Sequence, residues 1–314
     1  MNEQVNTISQ EIKERAQEIL TRYDLDFEIE KIPLVGHREV IDEENQLVGI
    51  YEIPSEYAGL LNTQSGEIIN SVKSGYAVAQ NRNFIELALA GVDRFDVDTY
   101  VAKAGVLNGG RRVFIQFGLE GQAFNGDTIT RYIMIINSND GHKFSVGVGE
   151  QVMSCMNQFF SFHKSAQSKF SHTASLENRL EEIPFLLESA LQTIGLMDEL
   201  YDTMYRTPCT NEMLDGLVKH MVGISYADDL EALEIGTRKK NNMDALYNAI
   251  YHEFDCKGDN LWGLFNGITY WTNYVKKHPK RDNGKLESLV IGTGQRTNQK
   301  ALDYIAKLVG FGEI

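Results

Sequence analysis

Residues 108–117 read Asn-Gly-Gly-Arg-Arg-Val-Phe-Ile-Gln-Phe, and this stretch decides the fold class. A turn signal is followed at once by β-branched and aromatic residues, which is typical of a hairpin turn that leads into a strand. The arrangement recurs where 125–127 (Asn-Gly-Asp) precedes 129–136 and where 139–141 (Asn-Asp-Gly) precedes 144–148. Three such units in succession predict an antiparallel meander.

The residues before and just after this meander predict an α+β fold. A helical period covers 6–23 and is followed by short strand-like runs, among them 47–51 and 76–78 (Tyr-Ala-Val). We expect a short helix over 84–90. Another helix is expected to begin near Glu150 and to carry the phenylalanines at 159 and 160.

The chain beyond Phe160 shows only helical periods, the longest over 176–204. The others cover 213–222, 243–254, 261–275 and 298–309. We therefore predict an α+β domain with an antiparallel sheet over 1–160 and a mainly α-helical region over 161–314.

The composition favours an intracellular globular protein. Hydrophobic residues make up 42% and charged residues 24%, which is ordinary for a chain that builds a core. The first 20 residues lack the pattern of a signal peptide, and no apolar run reaches the ~18–20 residues that a membrane span needs. Three cysteines without close spacing argue against a disulfide framework or a structural zinc site. By elimination we expect a cytoplasmic location and no membrane partner.

The net charge of −14 by itself disfavours a polyanionic partner, but it is unevenly distributed. It is −11 over 1–100, +3 over 101–180, −10 over 181–237 and +4 over 238–314. Because polyanion binding depends on local potential, two basic segments keep nucleic acid open as a partner. Segregation of this size also arises by chance.

No motif predicts an enzyme. Gly147-Val148-Gly149 follows a strand, but neither a dinucleotide-binding motif nor a P-loop is present, so a glycine bend is the better interpretation. The GxSxG and HExxH motifs are absent, and the seven histidines form no pair with metal-ligand spacing. We predict no catalytic residues, no metal and no cofactor, although a site that assembles only in the folded chain stays open.

Basic residues give the better functional signal. Arg111 and Arg112 open a strand, and both side chains are expected to project from one edge of the sheet. Phenylalanines near the later lysines suit unstacked bases, whose stacking on an aromatic ring contributes ~1–3 kcal/mol per base. The competing interpretations are a solvated rim around core phenylalanines and, for 276–281, helix C-capping by lysine. The candidate nucleic-acid-binding residues are Arg111, Arg112, Arg131, Lys143, Lys164, Lys169, His172, Arg179, Lys276, Lys277, Arg281 and Arg296.

Ordered short motifs across 57–305 resemble the phage/plasmid-like family of unknown function. They include Val78…Asn81, Gly109-Gly110-Arg111-Arg112-Val113, Asn137-Ser138-x-Asp140-Gly141, Cys155-x-Asn157, Trp262-Gly263-x-x-Asn266 and Gly292-Thr293-Gly294. The chain departs from the pattern at Tyr274 and in the acidic stretch 181–237.

The resemblance implies a role in the DNA biology of mobile elements. The order of sheet and then helices is similar to the core of single-strand-annealing recombinases of the Erf, Red-beta and eukaryotic ring-forming type. In that group a hairpin or three-stranded meander packs on a helix, and subunits join into rings with DNA in a basic groove.

Two hypotheses follow. The first is a homo-oligomer, a ring or a filament, that binds single-stranded DNA and promotes annealing and recombination without ATP. The alternative is a phage-encoded interaction protein, an inhibitor or DNA mimic that acts on a host DNA-binding or defence system.

Overall fold

The computed structural model describes residues 8–311 apart from 45, 95–98, 120, 126, 141–143, 153–156, 162–181, 225–235 and 282. Antiparallel sheets occupy the N-terminal half and helices most of the C-terminal half, so the predicted α+β class is confirmed.

The first layer is a three-stranded antiparallel sheet flanked by two helices. Helix α1 (Gln10–Arg22) precedes β1 (Ile29–Ile41), β2 (Leu47–Asn62) and β3 (Ile68–Lys73), and helix α2 (Asn81–Val92) follows. The turn after Asn62 is held by that residue: the Asn62 side-chain oxygen accepts hydrogen bonds from the backbone N–H groups of Gln64 and Ser65, and Gly66 takes a φ of 70°. The prediction of a strand over 76–78 is wrong. These residues lie outside every β-ladder and lead directly into α2.

The outer part of the β1–β2 hairpin projects away from this layer. A register shift between Pro33 and Val35 interrupts the pairing, and β3 pairs only with the Tyr57–Leu61 end of β2. We call residues 34–57 the hairpin arm. None of the described arm residues belongs to a hydrophobic core cluster. Leu34, at the base of the arm, packs beside Gly59 of β2.

The second sheet is the predicted meander, extended by further strands. It contains β4 (Thr99–Leu107), β5 (Arg112–Leu119), β6 (Gln122–Phe124), β7 (Asp127–Ser138), β8 (Ser145–Val152) and β9 (Asn157–Ser161). The order is β4-β5-β7-β8-β9, β6 pairs with β7, and all pairs are antiparallel. Side chains of β5 alternate between two cores: Val113 and Ile115 face the first helices, whereas Phe114 faces the C-terminal helices. A sheet covered on both faces explains why β5 is buried along its whole length.

The prediction of a helix that begins near Glu150 is wrong. Strand β8 continues to Val152, and residues 157–161 form β9, which pairs with β8. The aromatic pair at 159 and 160 suits an extended strand as well as a helix, because a short apolar run does not distinguish the two by periodicity.

The C-terminal half is a helical layer. It consists of α3 (Ile183–Arg206), α4 (Asn211–Val222), α5 (Thr237–Lys257), α6 (Leu261–Tyr270), a π-helical turn (Trp271–Val275), α7 (Gly284–Val290) and α8 (Thr293–Leu308). Ile183 to Ile194 of α3 pack into the first core, and Met197 to Met204 pack into the helical core. Helix α3 therefore ties the two halves together. Across the described ranges, no helix combines the length and the apolarity that a bilayer span requires.

Candidate functional site

The two arginines at the start of β5 lie in different environments. Arg111 lies in the turn before the strand and is exposed, whereas Arg112 is buried and its Nε lies 2.6 Å from Asp140 Oδ2. Asp140 also accepts a hydrogen bond from Asn108 Nδ2 at 3.0 Å. The expectation that both arginines project from the edge of the sheet does not hold for Arg112, because its side chain is buried in this ion pair. Arg112 instead fastens the β4–β5 turn to the end of β7.

Arg131 lies in the interior. It is 2% exposed, its Nε is 3.2 Å from a Glu150 oxygen, and its guanidinium also pairs with Asp198 of α3. The Tyr201 hydroxyl donates to the same Glu150 carboxylate. Burial raises the pKa of the Glu150 carboxyl, and the attraction of Arg131 offsets part of that rise. Arg131 thus joins the sheet to α3 and is not available to a nucleic-acid backbone in this conformation.

Five predicted residues lie outside the described part of the chain. They are Lys143, Lys164, Lys169, His172 and Arg179. Their role stays a prediction.

The C-terminal basic residues do converge. A cleft of about 590 Å³ lies between the end of α4, the start of α5, the π-helical turn and the start of α8. Two of the predicted residues, Lys276 and Arg296, line it together with Arg238, Lys239 and Lys300. We call this cleft, with its five cations, the cationic groove.

A second cleft of about 290 Å³ continues the groove. Both clefts are lined by Thr293 and Arg296, and the second adds Arg281 and Arg112. Arg281 pairs with Glu287, so the positive charge at this end is neutralised. Lys277 is exposed and lines neither cleft.

The groove cations interact with neutral oxygens. Lys276 Nζ donates to Thr297 Oγ1 at 3.0 Å and to the Thr293 carbonyl at 3.2 Å. Lys239 and Lys300 donate to backbone carbonyls at the end of α4. Among the residues with described positions, no carboxylate forms an ion pair with any of the five. Their charge is therefore uncompensated there.

The pKa values of two groove lysines are lowered by their surroundings. Burial lowers the pKa of the Lys276 ammonium, and repulsion from Arg296 lowers it further. Burial also lowers the pKa of Lys300. An anion in the groove would relieve both effects, since it would stabilise the charged lysines.

The N-terminus of α8 adds a helix dipole to the groove. Its cap residue, Gly292, provides no side-chain hydrogen bond, and the N–H of Gly294 in the first turn donates to Ser288 Oγ at 3.2 Å. A Cβ on Gly292 would lie 2.8 Å from Ser288 Cα, and one on Gly294 would lie 2.9 Å from the Ser288 carbonyl oxygen. Glycine at both positions lets α7 and α8 pack closely, and the positive helix end then faces the groove.

Trp271 provides an aromatic surface in the same place. It is partly buried, and Lys276 Nζ lies 5.4 Å from the centre of its ring. A ring beside a row of cations is the combination that suits a base and its phosphate.

Sequence reasoning missed Arg238, Lys239 and Trp271. One signal was available: residues 238–240 read Arg-Lys-Lys in the first turn of α5, where basic side chains oppose the helix dipole. Because this placement does not favour the helix, it is a signal from which these residues could have been chosen as candidates for ligand binding.

Among the described residues, the lining of the groove includes no histidine, cysteine, aspartate or glutamate. No group of three or more His, Cys, Asp or Glu side chains with metal-binding geometry occurs among the residues that the structure describes. Burial, with Asp259 nearby, raises the pKa of the Cys209 thiol to about 11, which makes it a poor nucleophile.

The chain belongs to the family described as "Domain of unknown function (DUF932)", whose model matches residues 68–302. The predicted resemblance to a family of unknown function is thus confirmed. No curated protein and no solved structure matches the chain. The phage or plasmid association and the likeness to annealing recombinases stay predictions.

Several motif residues behind that resemblance have structural roles. The side-chain amide of Asn137 donates to the Ala79 carbonyl at 2.7 Å, and that of Asn81 donates to the Leu25 carbonyl at 3.1 Å. A Cβ on Gly263 would lie 2.4 Å from the Gly258 carbonyl oxygen. These motif residues therefore serve the packing of the chain.

Proposed function

We propose that this family member binds single-stranded DNA in the cationic groove and promotes strand annealing without ATP. One observation carries the proposal: five cations without a described carboxylate partner surround Trp271 and the start of α8. Annealing requires no bond chemistry. It requires a surface that neutralises one backbone and leaves base edges free to pair.

The chemistry of the groove favours an unpaired strand over a duplex. Stacking on Trp271 needs a base with an exposed face, which a duplex offers only at its ends. The cations would contact the phosphates on either side of that base. Since the whole chain carries −14, binding depends on this local potential and must weaken as salt screens it.

Fluorescence polarisation with a labelled oligothymidine tests the proposal. We expect a log–log salt slope of roughly 0.7 per phosphate contacted, on the order of 3 for five cations. The double variant Arg296→Glu/Lys300→Glu should lose most of the affinity. Trp271→Leu should weaken binding by about 1–3 kcal/mol, the contribution of one stacked base.

A matched control carries the same change in net charge. Lys13 and Arg94 are exposed and lie outside the groove, so Lys13→Glu/Arg94→Glu should bind as the wild type does. Equal weakening of both double variants would show that only net charge matters and would remove the groove from the proposal. No binding by the wild type at low salt would end it.

Annealing is a separate readout. Two complementary labelled oligonucleotides should pair faster with the wild type than with Arg296→Glu/Lys300→Glu. Binding without acceleration would leave a single-strand-binding protein and exclude the annealing activity.

A second candidate function rests on the hairpin arm. Residues 34–57 contain six acidic residues and one arginine, and most of the arm is exposed, as a surface that mimics a polyanion would be. A pull-down from host lysate that captures a DNA-binding protein, together with no DNA affinity of the chain itself, would favour this interaction protein over the annealing protein.

A further inference from the structure

The hairpin arm exposes more apolar surface than a single chain needs. Eight large hydrophobic side chains of the arm are between 43% and 62% exposed: Val35, Ile41, Leu47, Val48, Ile50, Tyr51, Ile53 and Tyr57. At roughly 100 Å² each they present on the order of 800 Å², the area that one partner contributes to a standard interface. The arm is also a two-stranded hairpin beyond Pro33, a unit that is marginally stable alone.

The tip of the arm is acidic, and Asp42 anchors the described backbone around it. Asp42 Oδ1 accepts hydrogen bonds from the backbone N–H groups of Glu44, at 2.9 Å, and Gln46, at 2.8 Å. Glu43 and Glu44 are exposed, and neither forms an ion pair with a residue whose position is described. Two carboxylates thus stand at the end of an apolar arm.

The cationic groove complements this tip in charge and in apolar surface. Arg238, Arg296 and Lys300 supply positive charge around it. Its remaining lining includes apolar side chains of Met221, Val222, Leu246 and Trp271. An acidic tip flanked by Ile41 and Leu47 matches both features.

The arm does not fill the groove of its own chain, because its hydrophobic side chains are exposed. The occupant that the charges favour is therefore the arm of a second copy. We propose that the hairpin arm of one copy docks its acidic tip in the cationic groove of the next, so that the protein assembles head to tail. Such a contact closes into a ring or extends into a filament.

The assembly would regulate the groove. If the groove binds single-stranded DNA, which rests on the proposed function, DNA and the arm compete for the same cations. The self-association itself does not depend on DNA binding.

Charge reversal on each side, and then on both, gives a direct test. Sedimentation velocity over a concentration series would be recorded for the wild type, for Glu43→Lys/Glu44→Lys, for Arg296→Glu/Lys300→Glu and for the quadruple variant. Each double variant should weaken association by about tenfold or more, since like charges then meet, and the quadruple variant should recover it because the pairs are re-formed with opposite sign. Ile50→Ser should also weaken association, whereas Lys13→Glu/Arg94→Glu should not.

The outcomes separate this inference from the proposed function. A wild type that stays monomeric at every concentration overturns the assembly, as does a quadruple variant that fails to associate while its circular dichroism and melting temperature stay normal. Glu43→Lys/Glu44→Lys should bind the oligothymidine at least as tightly as the wild type, because its competing arm no longer docks. Association with recovery in the quadruple variant but no DNA binding by any variant supports the assembly and ends the DNA proposal.

Discussion

The sheet and the helical layer both contain arginines, but they place them in opposite environments. Arg112 and Arg131 of the sheet are buried against Asp140, Glu150 and Asp198. Arg238 and Arg296 of the helical layer are exposed and line a groove without a described carboxylate partner. A basic segment of the sequence therefore forms a basic surface only where its charges stay unpaired.

Strand geometry causes much of this difference. Alternate residues of a strand in a covered sheet point inward, and a buried charge is tolerated only when it is paired. Arg131 is such a residue. The first turns of α5 and α8 instead project side chains outward from helix ends, where no neighbour has to compensate them.

The largest effect expected from this comparison is on stability. Arg131→Met should lower the free energy of unfolding by about 3–5 kcal/mol, because Glu150 would lose its closest buried cation. Arg296→Met should change it by no more than about 0.5 kcal/mol. Urea unfolding measures both, and similar losses would contradict the contrast.

The loss in Arg131→Met should depend on pH. The pKa of Glu150 is already raised in the folded state, so the fold favours the protonated carboxyl. Without Arg131 that preference grows, and the folded state takes up a proton that the unfolded state binds less tightly. Relative to the wild type, the stability of the variant should therefore rise as pH falls through the raised pKa of Glu150 in the fold towards the ordinary pKa of a glutamate in the unfolded chain.

A smaller effect is expected where the groove is shaped by glycine. Gly294→Ala places a Cβ 2.9 Å from the Ser288 carbonyl oxygen, which pushes α8 away from α7 and should cost about 1–3 kcal/mol. It should weaken oligothymidine binding as well, because α8 carries Arg296.

Gly195 provides the matched control. It lies in α3 with no heavy atom within 4 Å of a built Cβ, so Gly195→Ala should stabilise the chain by about 1 kcal/mol. Thermal melts and polarisation titrations of both variants test the pair. A neutral Gly294→Ala would show that the contact between α7 and α8 relaxes freely.

The smallest effect is a change in pH dependence. Because the pKa of Lys276 is lowered, wild-type affinity for DNA should begin to fall at a lower pH than an ordinary lysine would allow. Lys276→Arg keeps its charge, so its affinity should decline less from about pH 7 to about pH 10, by a few-fold relative to the wild type. If the affinities of the wild type and of Lys276→Arg fall equally with pH, Lys276 does not contact the DNA.

Local signals predicted much of the fold. The turn residues before β5 do adopt the backbone that glycine and asparagine favour, with φ values of 53° at Asn108, 65° at Gly109 and 84° at Gly110. The long helical periods correspond to helices α3 to α6 and α8. Helix α7 was missed because seven residues give less than two full helical repeats to detect.

The candidate site was predicted only in part. Lys276, Arg281 and Arg296 were identified as basic residues near helix ends, and the structure places all three along the two connected clefts. Nothing local to the sequence shows that Asp140 reaches Arg112 or that Asp198 reaches Arg131, since those partners lie 28 and 67 positions away. Tertiary contacts decided which charges stay available.

The hairpin arm precedes the stretch that matches the family, which begins at residue 68, whereas the groove lies within it. Since the described residues of the arm lie outside every core cluster, the arm can be replaced with little repacking of the interior. Under the proposed assembly, exchanging it between relatives would yield chimeras that fold alike and differ in which subunits associate. The arm would then determine the specificity of subunit pairing independently of the fold that carries it.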